Sequence, residues 1–154
     1  MTDIDCTDAK IFTYSFDVAI DRPAADVWPL LSQKIDVWWM KDYRALGGNS
    51  VMSLDPSVGG SLLETGENGD ALEWYRVQMC VPGQSLYLVG YIAPDWGGPT
   101  TSMLKLALKE DGDSCVLTVS DALTGNVTES KAKGAKSGWE QLFGEGLKAL
   151  AESS

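Results

Sequence analysis

The sequence contains no histidine. That excludes Ser-His-Asp and Cys-His triads, imidazole-ligated zinc or haem, and any general base whose unperturbed pKa lies near neutrality. Cationic side chains are scarce too: 12 Lys and Arg stand against 22 Asp and Glu, a formal charge of −10. Binding to a phosphate backbone draws on counterion release around clustered Lys and Arg, so nucleic acid is not an expected partner. Cys6, Cys80 and Cys115 are odd in number, far apart and without a C-x-x-C pair, which suits reduced thiols and not a disulfide framework. No stretch approaches about 18 continuous apolar residues, so no membrane-spanning helix is expected. The N-terminal MTDIDCTDAK is acidic and polar, the opposite of a signal peptide's basic start and apolar run. These absences point to a cytoplasmic protein. Asp3, Asp5 and Asp8 look like a fragment of a metal loop, but the glycine and terminal glutamate of such a loop are missing. No metal and no cofactor is implied.

What is present reads as a single domain over residues 1–154, with residues 1–9 expected to be a flexible acidic tail. The 44% hydrophobic and 22% charged fractions match globular averages and exclude wholesale disorder. In residues 11–20, Phe12, Tyr14, Phe16, Val18 and Ile20 alternate with polar residues, the pattern of a half-buried strand. Pro23 suits the first position of a helix carrying Val27, Trp28 and Leu31, which Pro29 should shorten or kink. A second short helix is expected over Ile35 to Met40. Residues 51–54, 61–65, 72–81, 85–92, 101–109 and 114–120 read as strands separated by turn residues, an antiparallel meander and not a βαβ sheet. Trp139, Leu142, Phe143, Gly146, Leu147 and Leu150 then form a helical stripe, with the helix starting near Ser130. Its four glycines (Gly134, Gly138, Gly144 and Gly146) are expected to leave room where it crosses the sheet.

This order of pieces resembles the START-like, or SRPBCC, superfamily, in the branch related to the C-terminal domain of the heat-shock-protein-90 ATPase activator. The matching residues are Ala24-Ala25-Asp26-Val27-Trp28, Trp38-Trp39, Val58-Gly59-Gly60, Val77 to Leu86 around Pro82, and Gly138-Trp139 with Leu142 and Leu150. The resemblance implies an α+β helix-grip (Bet v 1-like) fold: a curved antiparallel sheet wrapping a long C-terminal helix, two short helices after the first strand, and an apolar cavity in between. It brings no shared catalytic motif.

The function expected from this is binding of a hydrophobic or amphipathic small molecule in that cavity. Candidate lining residues are Trp39, Trp74, Tyr75, Met79, Tyr87, Tyr91, Trp96, Met103, Trp139 and Phe143. Tryptophan and tyrosine join a large apolar area to one polar handle, and methionine adapts to irregular shapes. The competing reading is ordinary core packing, to which Trp28 and Trp139 are the best suited. Strand alternation sends Trp74 and Tyr75 to opposite faces, so at most one should meet the cavity. Glu64, Glu73 and Arg76 are polar candidates, with Glu73 grouped with Tyr75 and Val77, and Arg76 with Trp74 and Gln78. Their competing reading is a solvated outer face. Two alternatives remain: a co-chaperone-like interaction module with a protein partner, and an enzyme pairing Glu64 or Glu73 with Tyr75 or Tyr87 as acid and base.

Overall fold

The computed structural model describes residues 4–153. Of the expected acidic tail, Met1, Thr2 and Asp3 lie outside the described residues, while residues 4–9 are exposed and carry no regular structure. Seven strands follow: β1 (Lys10–Ile20), β2 (Val51–Leu54), β3 (Ser61–Thr65), β4 (Ala71–Val81), β5 (Ser85–Ile92), β6 (Thr100–Asp111) and β7 (Ser114–Gly125). They form one antiparallel sheet in the order β1-β7-β6-β5-β4-β3-β2. The meander from β2 to β7 needs only short turns, and β1 closes the far edge beside β7. The last strand runs five residues beyond the Ser120 expected for it. Residues 121–125 pair with β1 on one side and β6 on the other, from Asp121 opposite Tyr14 to Gly125 opposite Lys10. Two partners hold as strand a segment whose acid and terminal glycine argue locally against it.

Two short helices, α1 (Ala24–Gln33) and α2 (Ile35–Trp38), leave β1 and cover the concave face. α1 continues past Pro29, which is exposed, as is Ala25 one turn earlier. Solvent can therefore satisfy the Ala25 carbonyl that loses its partner. After a 3-10 turn (Lys41–Tyr43), the chain crosses to β2. The C-terminal helix begins as α3 (Glu129–Gln141), capped by the Thr128 side chain, which accepts from the Lys131 N–H at 3.2 Å. It then widens into a π-helical stretch (Leu142–Lys148) and ends in the α-helical turn α4 (Ala149–Glu152). The extra residue per turn moves the buried stripe: Ala151 is buried where the regular spacing expected Leu150, which is half-buried.

The interior divides into two apolar clusters. The larger gathers α1, α2, the π-helical stretch and the inner rows of the sheet around Leu86, Leu104, Leu117 and Phe143. The smaller holds Leu123, Val127 and Ala132, with Phe12, Tyr14 and Ala135 packed beside it.

The helix glycines do not have the role expected of them. A Cβ on Gly146 would lie 2.5 Å from the Trp38 carbonyl oxygen, so this glycine admits α2 and not the sheet. One on Gly134 or Gly144 would meet nothing within 4 Å. Gly134→Ala should therefore raise stability by up to about 1 kcal/mol through helix propensity. Gly146→Ala should lower it by about 1–3 kcal/mol through overpacking against backbone. Urea unfolding of the two variants checks the opposite signs.

Candidate functional site

Between the two clusters lies a cavity of about 620 Å³, bounded by the inner face of β4–β7, the C-terminal helix and the segments 43–46 and 91–96. Trp39, Trp74, Tyr75, Tyr91, Trp96 and Trp139 all line it. Their rings interlock. Trp39 meets Trp74 edge-on at 5.2 Å between centroids and Trp139 at 5.9 Å, and Trp139 lies 6.0 Å from Tyr75. Behind this wall Trp139 stacks on Phe143 at 5.5 Å, so it packs the core and lines the cavity at once. Phe143 belongs to the core and does not line the cavity. Trp38 packs against Phe143 from the far side.

Trp74 and Tyr75 share the cavity, against strict alternation. Leu62 pairs with Tyr75 and Leu63 with Glu73, which leaves Trp74 as an extra residue in a β-bulge. A bulge shifts the pleat by one, so both rings turn inward. The same shift regroups the charges. Glu73 and Arg76, expected on opposite faces, point outward together and pair at 2.9 Å. Glu73 reaches the cavity rim and also accepts from the Ser61 hydroxyl. The Arg76 hydrogen bond, then that of Ser61, holds the Glu73 pKa below the usual carboxylate value. Arg76 does not line the cavity.

Three further candidates lie on the outer face. Tyr87 pairs across to Met79 and to Lys105, whose ammonium sits 5.0 Å from the Tyr87 ring centre. Met79 is 49% exposed and Met103 58%. The physical cause is register: a second irregularity, between Val77 and Met79, sends Met79 outward, while Met103 alternates with the buried Ser102 and Leu104.

Glu64 points inward yet does not line the cavity; it holds the cavity wall. The residue is fully buried. Its Oε1 accepts from the Ala45 N–H at 3.0 Å and the Trp74 indole N–H at 2.9 Å. Its Oε2 accepts from the Leu46 N–H at 2.8 Å and the Ser50 hydroxyl at 2.7 Å. Burial pushes the carboxyl pKa up, but these hydrogen bonds outweigh it and leave the pKa lowered. Arg44 secures the same loop from outside, donating to the carbonyls of Trp39 at 2.8 Å and Ser50 at 2.5 Å and pairing with Asp36 at 3.0 Å. With Glu64 fully engaged and Tyr87 on the outer face, the acid–base pairs Glu64–Tyr87 and Glu73–Tyr87 are not assembled around the cavity. A second depression, about 690 Å³, lies beside α2 and Glu145, floored by polar groups that include the Arg44–Asp36 pair. The aromatic cavity is the better candidate, because its rings and polar groups converge on one concave space.

The polar end of the cavity joins one candidate, Tyr75, to two residues outside the candidate set. Asp121 and Ser102 line it, and Asp121 is only 4% exposed. The Tyr75 hydroxyl lies 2.7 Å from Ser102 Oγ, which donates to Asp121 Oδ1 at 2.8 Å. The Tyr14 hydroxyl donates to Oδ2 at 2.6 Å. Burial raises the Asp121 pKa, with the bonds from Tyr14, Ser102 and the Ala122 backbone opposing it in part. Burial likewise pushes the Tyr75 and Tyr14 hydroxyls up, keeping both protonated. For Asp121 the signal was in the sequence, since it interrupts the inner row Cys115, Leu117, Val119, Leu123; Ser102 shares its row with Thr100 as well as Leu104, Leu106 and Leu108.

Residues 21–152 match the family described as Activator of Hsp90 ATPase homolog 1-like protein. The chain belongs to that family, and with it to the START-like SRPBCC superfamily. The solved structures agree on the helix-grip fold. The Mll3558 protein from Rhizobium loti is 22% identical, with a TM-score of 0.69 over 96% of this chain and 100% of that one. Ara h 8.0201 is 11% identical, with a TM-score of 0.68 over 94% and 100%. Norcoclaurine synthase from Thalictrum flavum, a point mutant in complex with a transition-state analogue, is 16% identical with a TM-score of 0.61 over 96% and 98%. At such identities the likeness is one of fold. No curated protein matches the chain. Among the described residues, no helix is long and apolar enough to cross a membrane.

Glu64→Gln turns one carboxylate oxygen into an amide nitrogen, and either orientation strands a backbone N–H, that of Ala45 together with the Trp74 indole N–H or that of Leu46, where the Ser50 hydroxyl can turn to the Gly47 carbonyl. The variant should lose about 2–4 kcal/mol near neutral pH. Because folding lowers the Glu64 pKa, this contribution is complete above its ordinary value of 4.5 and is lost as pH falls through the folded value. Denaturant unfolding at a series of pH values should show wild type and variant converging in acid.

Proposed function

We propose that this protein binds a hydrophobic or amphipathic small molecule in the aromatic cavity between the sheet and the C-terminal helix. The observation that carries this reading is that the two apolar clusters do not close on each other: about 620 Å³ is left between them, walled by Trp39, Trp74 and Trp139. Ligand cavities commonly measure about 300–1,000 Å³, with mostly apolar walls and a few placed polar groups. Here those groups gather at one end, around Asp121, Ser102 and Tyr75, while exposed Trp96 and Tyr91 stand at the mouth. Asn126 holds the loop bearing Trp96 through the Gly98 carbonyl at 3.2 Å, and Lys131 donates to the Gly97 carbonyl at 3.0 Å. An amphipathic molecule fits this polarity, its apolar body against the rings and its polar head at the inner end.

Gly138 offers a test that separates binding from folding. It lines the cavity, and a Cβ there would meet only the Tyr43 ring, at 3.7 Å. Gly138→Leu should hold or raise stability, by up to about 1 kcal/mol from helix propensity, while filling the site. Titration with the neutral probe N-phenyl-1-naphthylamine should show saturable fluorescence enhancement in the wild type and at least tenfold weaker binding in the variant. Saturable binding of equal strength in both would place the probe elsewhere and remove the reading.

A further inference from the structure

The cavity's polar end is one-sided in its hydrogen-bonding chemistry. With Asp121 ionised, the single proton of Ser102 is committed to Asp121 Oδ1 at 2.8 Å. The Tyr75 hydroxyl, 2.7 Å from Ser102 Oγ, must then donate to it. Tyr14 spends its proton on Oδ2 at 2.6 Å. All three hydroxyl protons thus run toward the carboxylate, and what remains to face the cavity is acceptor capacity: the Asp121 oxygens and the lone pairs of Tyr75. Among the described residues lining the cavity there is no Lys or Arg, and the only other ionisable acid is Glu73 at the rim. The rings of Trp39, Trp74 and Trp139 add π-faces, which attract cations.

From this convergence we infer that the cavity selects ligands by charge, taking an aromatic or aliphatic body with a protonated amine as its head and disfavouring the same body with a carboxylate head. This rests on the cavity being a binding site. An ammonium supplies the donors that the acceptor-only end lacks, and it pairs with Asp121 in a region where a charge without a partner is costly. A ligand carboxylate at this end meets a buried like charge, and none of the three hydroxyls there has a proton left to donate to it. A hydroxyl head, which can donate one hydrogen bond, falls between the two.

Three molecules of one skeleton test the inference by calorimetric titration: 2-(1-naphthyl)ethylamine, 2-(1-naphthyl)ethanol and 1-naphthylacetate. The amine should bind tightest and the acetate at least tenfold more weakly than the amine. Asp121→Asn should narrow the amine-to-acetate gap to within about threefold and leave the alcohol's affinity nearly unchanged. Asp113→Asn, which removes the same charge from the exposed β6–β7 turn, should leave the gap intact, separating Asp121 from the general −10 field. The inference is overturned if acetate matches or exceeds the amine in the wild type, a measurement that needs no variant. It is overturned equally if the gap survives Asp121→Asn or closes in Asp113→Asn. If the alcohol binds and charge makes no difference, only the selectivity fails; if none of the three binds, the cavity reading fails and takes the selectivity with it.

Discussion

The carboxylate of Glu64 is the constraint on which the cavity wall depends. A buried charge without hydrogen bonds would cost more stability than a domain of this size can spare. Glu64 avoids that by accepting four hydrogen bonds, and their donors come from two places far apart in sequence: the loop at Ala45, Leu46 and Ser50, and the indole of Trp74 on β4. A loop on its own would have no apolar reason to lie in a fixed position beside the sheet. Tied to Glu64 it becomes a wall, and the Trp74 ring is held where Trp39 meets it edge-on. One buried carboxylate therefore joins a loop and a bulged strand into one side of the aromatic cavity.

That arrangement works only because β4 is bulged at Trp74. In a regular pairing, Trp74 would face outward beside Arg76, its N–H could not reach Glu64, and the sheet would present a single aromatic ring at this level. The extra residue brings in a second ring without a second strand. Gly90, the neighbour on β5, completes the local geometry: a Cβ there would come within 2.4 Å of the Trp74 carbonyl and 2.9 Å of the Tyr75 ring. Bulge and glycine act together, one turning the rings inward and the other leaving the space they occupy.

Much of the fold was legible because it rests on periodicity. The alternation of Phe12 through Ile20, the evenly spaced turns between 54 and 114 and the stripe from Trp139 to Leu147 each declare an element, and their order implied the helix-grip architecture. The cavity was legible in part. Trp39, Trp74 and Trp139 meet there, since large aromatic residues on inner faces have few other places to go, and Trp96 reaches it from an exposed turn. What escaped depended on register. Bulges are not visible in a composition of apolar and polar residues, so Glu73 and Arg76 were expected apart, and Met79 was expected inside. The polar end escaped for a different reason. Asp121 sits in an otherwise apolar row, which is a readable anomaly, but the expected β7 ends at Ser120, one residue short of it, while Ser102 shares its row with Thr100 and so marks no break in an apolar pattern.

The same two residues explain why the interior stays divided. The Asp121 carboxyl, hydrogen-bonded to Tyr14 and Ser102, cannot pack as an aliphatic side chain does, so the inner rows of β6 and β7 do not pack continuously from Leu117 to Leu123. The larger cluster ends at Tyr75 and Trp139, the smaller begins at Leu123, and the carboxylate lies between them. Tyr14 and Tyr75 shield it laterally, since each brings a ring to the apolar neighbours and a hydroxyl to the polar network. The space is open to solvent at Trp96 and Tyr91, so it differs from an empty internal void. The feature that prevents a continuous core is also the feature that gives the cavity its chemical polarity. A sequence with leucine at position 121 would continue the apolar row and leave the cavity without this polar end.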